Sequence, residues 1–164
     1  MKRIKLSNGR FTIVDDEDFL WLSQFHWYTN SGKWNLYANR EVMTEGKTSC
    51  FLMHREIMMH HGYKIEGFYV DHINHNGLDN RKENLRMVTA SQNQMNRLPI
   101  KSLSGYKGVT IYRNGKWRAS AKVDQKNVHL GYFDTKEEAA IAYNSFAQRQ
   151  FGSFAYLNVI GGKQ

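Results

Sequence analysis

Phe68-Tyr69-Val70-Asp71-His72-Ile73-Asn74-His75-Asn76-Gly77-Leu78-Asp79-Asn80-Arg81-Lys82-Glu83-Asn84-Leu85-Arg86-Met87-Val88-Thr89-Ala90-Ser91-Gln92-Asn93 is the stretch on which the reading of the fold depends. An aromatic strand ends in Asp71-His72, a long loop of Asn, Gly and Asp follows, and Leu85 to Val88 reads as a second short strand. Thr89, with Gln92 three residues on, then predicts the cap of a helix whose first turn carries Asn93. Strand, loop, strand and helix make a ββα unit. Such a unit can gather Asp71, His72 and Asn93, because the strand end and the helix start face each other across one turn.

Those residue types suit phosphodiester hydrolysis, which needs an activated water and neutralisation of charge on the phosphate and leaving oxygen. A carboxylate and an amide oxygen are hard ligands for Mg²⁺ or a similar cation. A neutral histidine beside that cation can take the proton from water. On this argument Asp71 and Asn93 are candidate ligands and His72 the candidate base. The same residues equally suit an Asp capping a turn, a partly buried His and an Asn-rich loop, so both readings stand on residue type alone.

The stretch resembles the HNH nuclease motif in its H-N-N form, common in homing endonucleases of phages and mobile introns. Asp71-His72, Glu83-Asn84-Leu85-Arg86, Val88-Thr89 and Asn93 carry the resemblance, which begins at Leu52. It implies a ββα-metal (His-Me finger) module with His72 as general base and Asp71 and Asn93 as metal ligands. Asn84 matches the central Asn that holds the loop and the His in place. Asn in place of the third His favours Mg²⁺ or Mn²⁺, one per site, over tight zinc. His54-Arg55 occupies the place of the family's upstream His-Arg pair, as a phosphate contact or, for Arg55, a structural ion pair. His60, His61 and His75 match no role and are expected at the surface or behind the site.

Upstream, residues 2–14 alternate as strand, turn (Ser7-Asn8-Gly9) and strand, and Asp15 to Leu22 predicts a short capped helix. Trp27 to Arg40 predicts a hairpin through Ser31-Gly32-Lys33, and Phe51 to His61 a helix burying Leu52, Met53, Ile57 and Met58. Trp21, Phe25, Trp27, Trp34 and Tyr37 are expected in the core, and His26 with them. The only proline, Pro99, lies in a segment with no periodicity, which marks a connection.

Beyond it, Gly105 to Tyr112 alternates as a strand, Asn114-Gly115 is a hairpin signal, and Lys116 to Val123 alternates again. Lys116, Arg118, Ser120 and Lys122 fall on one face, and Trp117, Ala119, Ala121 and Val123 on the other. A turn at Gln125-Lys126-Asn127 leads into Val128 to Phe133. Thr135-Lys136-Glu137-Glu138 is a capping box, opening a helix that Gly152 ends. A basic ribbon fits the major groove of DNA, although a solvated strand face with ordinary lysines has the same pattern.

Tyr106-Lys107-Gly108-Val109, Gly115-Lys116-Trp117, Leu130-Gly131-Tyr132-Phe133-Asp134-Thr135, Glu137-Glu138-Ala139-Ala140-Ile141-Ala142-Tyr143 and Leu157-Asn158 resemble the Apetala-two/ethylene-response-factor DNA-binding domain. That implies a three-stranded antiparallel sheet in the major groove with one helix behind it. The family reads bases with arginines and tryptophans. The matching positions here hold Lys107, Thr110, Tyr112, Asn114 and His129, with Lys122 keeping the basic character, so the family's target sequence does not transfer. Arg113 and Arg118 are candidates for guanine, while Lys107, Lys116 and Lys122 are expected at phosphates.

Charge divides along the same line. The chain carries +8 at a sequence pI near 9.6. Residues 1–100 balance at +2 and residues 101–164 at +6. Such a basic chain most often meets a polyanion. One cysteine, Cys50, excludes an internal disulfide and a Cys-based zinc cage, so no structural zinc is expected. No apolar run is long enough to span a bilayer, no signal-peptide core follows the basic start, and a cytoplasmic site is expected.

The expected fold class is α+β. A β-rich extension covers 1–50, an HNH module 51–97, a linker 98–104 and a sheet-and-helix DNA-binding module 105–160. The expected function is a site-directed, homing-type DNA endonuclease acting on double-stranded DNA as a monomer, and therefore nicking one strand. The alternatives are a DNA-binding regulator on an inactive nuclease fold and a structure-directed nuclease in phage DNA processing.

Overall fold

Alternation in the first residues becomes a hairpin, with β1 (Lys2–Lys5) antiparallel to β2 (Phe11–Val14) around the Ser7-Asn8-Gly9 turn. The computed structural model describes residues 1–29, 36–97 and 103–161. They form two compact units, Met1–Thr89 and Ala90–Gln164. The predicted turn at Ser31-Gly32-Lys33, Trp34 and most of the predicted linker lie outside the described residues. Among the described residues no helix is long and apolar enough to cross a membrane.

In the first unit, α1 (Asp16–Leu22) follows the hairpin. Asp15 stands at its cap position without a side-chain cap; its Oδ2 accepts the Lys82 backbone N–H instead, at 2.8 Å. Next, β3 (Tyr28–Thr29), β4 (Ala38–Thr44) and β5 (Lys47–Leu52) form an antiparallel sheet in that order. β5 is absent from the sequence reading because most of its residues are exposed on both faces, so no apolar alternation marks it. The helix expected from Phe51 accordingly starts later, as α2 (Met53–His60).

Met53, Ile57 and Met58 of α2 join Ile4, Val14 and Leu22 in the core around the fully buried Trp27. Trp27 donates its indole N–H to Leu22 O at 2.8 Å, which satisfies the polar atom that so large an apolar side chain carries inward. Phe25, by contrast, is partly exposed and is covered by the Arg40 guanidinium, 4.1 Å from its ring centre. The unit ends in the β6 (Tyr69–His72) and β7 (Leu85–Val88) pair, with Asp71 opposite Arg86 and His72 opposite Leu85.

The second unit begins with α3 (Ala90–Asn96). A three-stranded antiparallel sheet follows, from β8 (Val109–Ile111), β9 (Trp117–Val123) and β10 (Lys126–Phe133), in the order β10-β9-β8. Asn114 and Gly115 both take positive φ, as the predicted tight turn demands. The second turn is Asp124-Gln125, with φ of 47° and 65°, and so closes earlier than the expected Gln125-Lys126-Asn127.

α4 (Lys136–Phe151) opens with both halves of the Thr135/Glu138 capping box. Ala139, Ala140, Tyr143, Ala147 and Phe151 bury against the face of Val109, Ala119 and Ala121. At Gly108 a Cβ would fall 2.1 Å from the Tyr143 ring, so only glycine lets the strand pass under this helix. Asn158 clamps the residue just before it, taking the Lys107 N–H at 2.7 Å and donating to Lys107 O at 3.0 Å.

Candidate functional site

β6 delivers His72 at its last residue, and the loop from Ile73 to Asn84 folds back over the strand end. Asn84 closes that loop. Its Oδ1 accepts the Asn74 N–H at 2.9 Å and its Nδ2 donates to Asp79 O at 2.7 Å. Its carbonyl accepts the Ile73 N–H at 2.9 Å. Asp79 is in turn gripped by Asn74 and Arg81, whose guanidinium holds the carboxyl below its usual range. Buried loop polar groups are thereby paired, as burial requires.

The extension at the start of the chain supports this loop directly. The Ile13 N–H donates to Leu78 O at 2.8 Å and the Asn80 N–H to Ile13 O at 2.8 Å. The Thr12 hydroxyl lies 2.8 Å from Leu78 O, and a carbonyl can only accept, so the hydroxyl spends its one proton there. It therefore accepts from Asn80 Nδ2, at 2.7 Å. That orientation turns Asn80 Oδ1 toward His72 Nε2, 3.1 Å away. Nε2 then carries the ring proton, and Nδ1 keeps its lone pair.

His72 is 3% exposed, and this burial holds its imidazole below the ordinary value, against the opposing pull of Asn80, Asp71 and Asp79. It is thus a neutral base with a defined tautomer. Asp71 precedes it, half-buried, with Oδ2 receiving Arg86 Nε at 3.1 Å and Nη2 at 3.0 Å. Tyr37 and His54 pack on the His72 ring, at 5.6 and 5.0 Å between centroids.

Two expectations need correction. His54 is 5% exposed and its pKa is pushed down to about 3, first by burial, then by His72 and Arg55. It backs the site as a neutral ring and does not present itself to a phosphate. Lys107 is not on the open sheet face. Its ammonium donates to Met95 O at 2.6 Å and Arg97 O at 2.7 Å, capping the end of α3, and burial with Arg97 nearby brings it down to about 8. Arg55 is half-buried and donates to Phe68 O at 3.2 Å.

Among the remaining candidates, the structure brings Asp71, His72 and Asn84 together in the first unit. Asn93 lies in the first turn of α3, in the second unit. Thr110, Arg118 and Lys122 are exposed on the sheet face away from α4, with Tyr112 and His129, while Arg113 occupies the β8–β9 turn. Lys116 is exposed and paired with Asp134. The sequence reading missed Thr12 and Asn80, which no local pattern marks, and Tyr132. Tyr132 was not detectable from alternation, because it joins the face of Asn127 and Lys122 only through a register shift between His129 and Gly131.

A neutral base beside a carboxylate at a strand end is the equipment of a metal-assisted hydrolase. Residues 52–95 match the HNH endonuclease family. An uncharacterized HNH endonuclease of Acanthamoeba polyphaga mimivirus is 32% identical over 154 residues, covering 93% of this chain and 76% of that protein. The chain belongs to the HNH endonuclease family, and it is a nuclease. Dehydration-responsive element-binding protein 2D of Arabidopsis thaliana is 43% identical over 56 residues, 33% of this chain and 27% of its own length. Protein 3.8 of Escherichia phage T7 is 29% identical over 92 residues, 55% of this chain and 75% of its own. No solved structure matches the chain at a significant level.

Proposed function

We propose that this protein is a site-directed DNA endonuclease of the homing type, nicking double-stranded DNA with a ββα-metal module that an Apetala-two-like sheet holds on its target. The observation that carries the reading is the Thr12–Asn80–His72 chain, which leaves a buried neutral imidazole with Nδ1 as its free basic atom beside Asp71. In support of the grip, the second unit has a three-stranded sheet with one helix, α4, packed on it, as the resemblance implies, and the similar plant protein is named as element-binding.

His72 takes the proton of the attacking water at Nδ1. Asp79 and Asp71, which already favour the charged ring, then stabilise the imidazolium. Asn80 keeps the ring from rotating and Asn84 keeps the loop closed. Among the described residues no three His, Cys, Asp or Glu side chains are grouped to cage an ion. Oxygen donors such as Asp71 and, on the resemblance, Asn93 suit Mg²⁺ or Mn²⁺, which keeps much of its water and needs few protein ligands. Such a cation, when bound, would neutralise charge on the phosphate and leaving oxygen.

Supercoiled plasmid containing a site selected from a randomised library tests the reading. Nicked circles should form with Mg²⁺ or Mn²⁺, and His72→Ala should slow nicking by about 10²–10⁴-fold. Cleavage undiminished in that variant would remove His72 from the mechanism. Tight binding with no cutting under any divalent cation would instead make the protein a DNA-binding regulator.

A further inference from the structure

The open face of the β10-β9-β8 sheet holds three exposed rings in contact, which a purely cationic grip does not need. Tyr112 and Tyr132 have centroids 4.4 Å apart at 37°, and His129 lies 4.5 Å from Tyr132 at 51°. Tyr112 is 40% exposed and Tyr132 49%. Pairing places Thr110, Arg118 and Tyr132 in one row across the strands, with His129 opposite Ser120 in the next. α4 buries the opposite face, so the fold leaves these rings uncovered. Arg118 is exposed and makes no ion pair among the described residues, unlike Lys116 beside it in the strand face.

The ring faces are turned on one another, so a base cannot slide between them as it would on a single-strand stacking platform. The rings and Thr110 are exposed on this face beside the Arg118 guanidinium. In the major groove one apolar group stands on a base edge, the C5-methyl of thymine, while guanine offers the O6/N7 pair that arginine binds bidentately. A cationic surround matches the flanking phosphates.

We propose that Tyr112, Tyr132 and His129, with Thr110, form a thymine-methyl reader and that Arg118 takes a neighbouring guanine, so that the sheet selects duplex sites with thymine next to guanine. This rests on the reading of the sheet as the DNA grip. It also supplies a specificity element where the arginines and tryptophans of the resembling family are missing.

The test uses the full chain without divalent cation, on a duplex recovered from library selection. Each dT is replaced singly by dU, which removes the methyl and nothing else. Affinity should fall by about fourfold at each position read, the worth of one buried methyl. Tyr132→Ala, a surface change, should still bind and should no longer distinguish dT from dU, whereas Tyr132→Phe keeps the ring and the distinction. Equal affinity for dT and dU at every position, with salt-sensitive duplex binding intact, overturns the reader and spares the grip. A Tyr132→Ala protein that still discriminates overturns it too. Failure to bind any duplex overturns the grip itself.

Discussion

In the Met1–Thr89 unit the decisive polar groups are inside: Thr12, His54, His72, Asp79, Asn80 and Asn84 are each no more than 5% exposed. In the Ala90–Gln164 unit they are outside, where Thr110, Tyr112, Arg118, Lys122, His129 and Tyr132 stand on one open face. The contrast fits the roles proposed for each set. A base must be neutral, oriented and shielded, which takes burial and complete hydrogen bonding. A proposed groove reader must reach a partner, so its side chains stay exposed. Charge alone is blind to this difference, because the buried set is almost free of net charge.

The sharpest way to break the contrast is to open the buried network. Asn84→Ala strips partners from the Asn74 N–H and Asp79 O, at about 1–3 kcal/mol for each group left bare. Hydrogen exchange at the Ile73 and Asn74 amides should accelerate accordingly. Unchanged protection would mean that the loop closes without Asn84.

Acid should act on the same unit. Burial holds His54 at about 3 and lowers His72 as well, both below the unfolded value of about 6.5. Beneath that pH the unfolded chain binds more protons. Stability is therefore complete above about pH 6.5 and falls as pH drops, for His54 by about 1.4 kcal/mol per pH unit down to about 3, with His72 adding a loss in the same direction. Urea melts followed by Trp fluorescence across this window should show the loss. A His54→Phe protein should lose less stability with acid than the parent, and an identical slope would place the proton uptake elsewhere.

The smallest effect concerns the second unit. Thr135→Ala removes the cap of α4 at a cost of about 1 kcal/mol. Circular dichroism melting should register it, with the thymine discrimination of the open face retained. Loss of discrimination would show that the reader depends on the helix behind it.

Much of this could be read along the chain. The Asn114-Gly115 turn, the Thr135 box and the β6–loop–β7 order are local, set by a few neighbouring residues, and the structure contains all three. β5 was not legible, because an edge strand exposed on both faces has no periodic apolar signal. Lys107 was misjudged for a different reason: a lysine in a basic strand looks like its neighbours until tertiary contacts show it capping α3. Asn80 looked like one more loop asparagine, since its partner Thr12 lies 68 residues away in sequence.

By itself, then, the sequence determined which residues could do chemistry, the split of its charge between two regions, and the strand or helix each motif occupies. All of these depend on composition and short-range spacing. Only the tertiary structure decided that His72 is neutral with its proton on Nε2, that His54 is walled in, and which cations remain free for a partner. Those properties depend on burial and on hydrogen bonds between distant segments, and no local pattern encodes them.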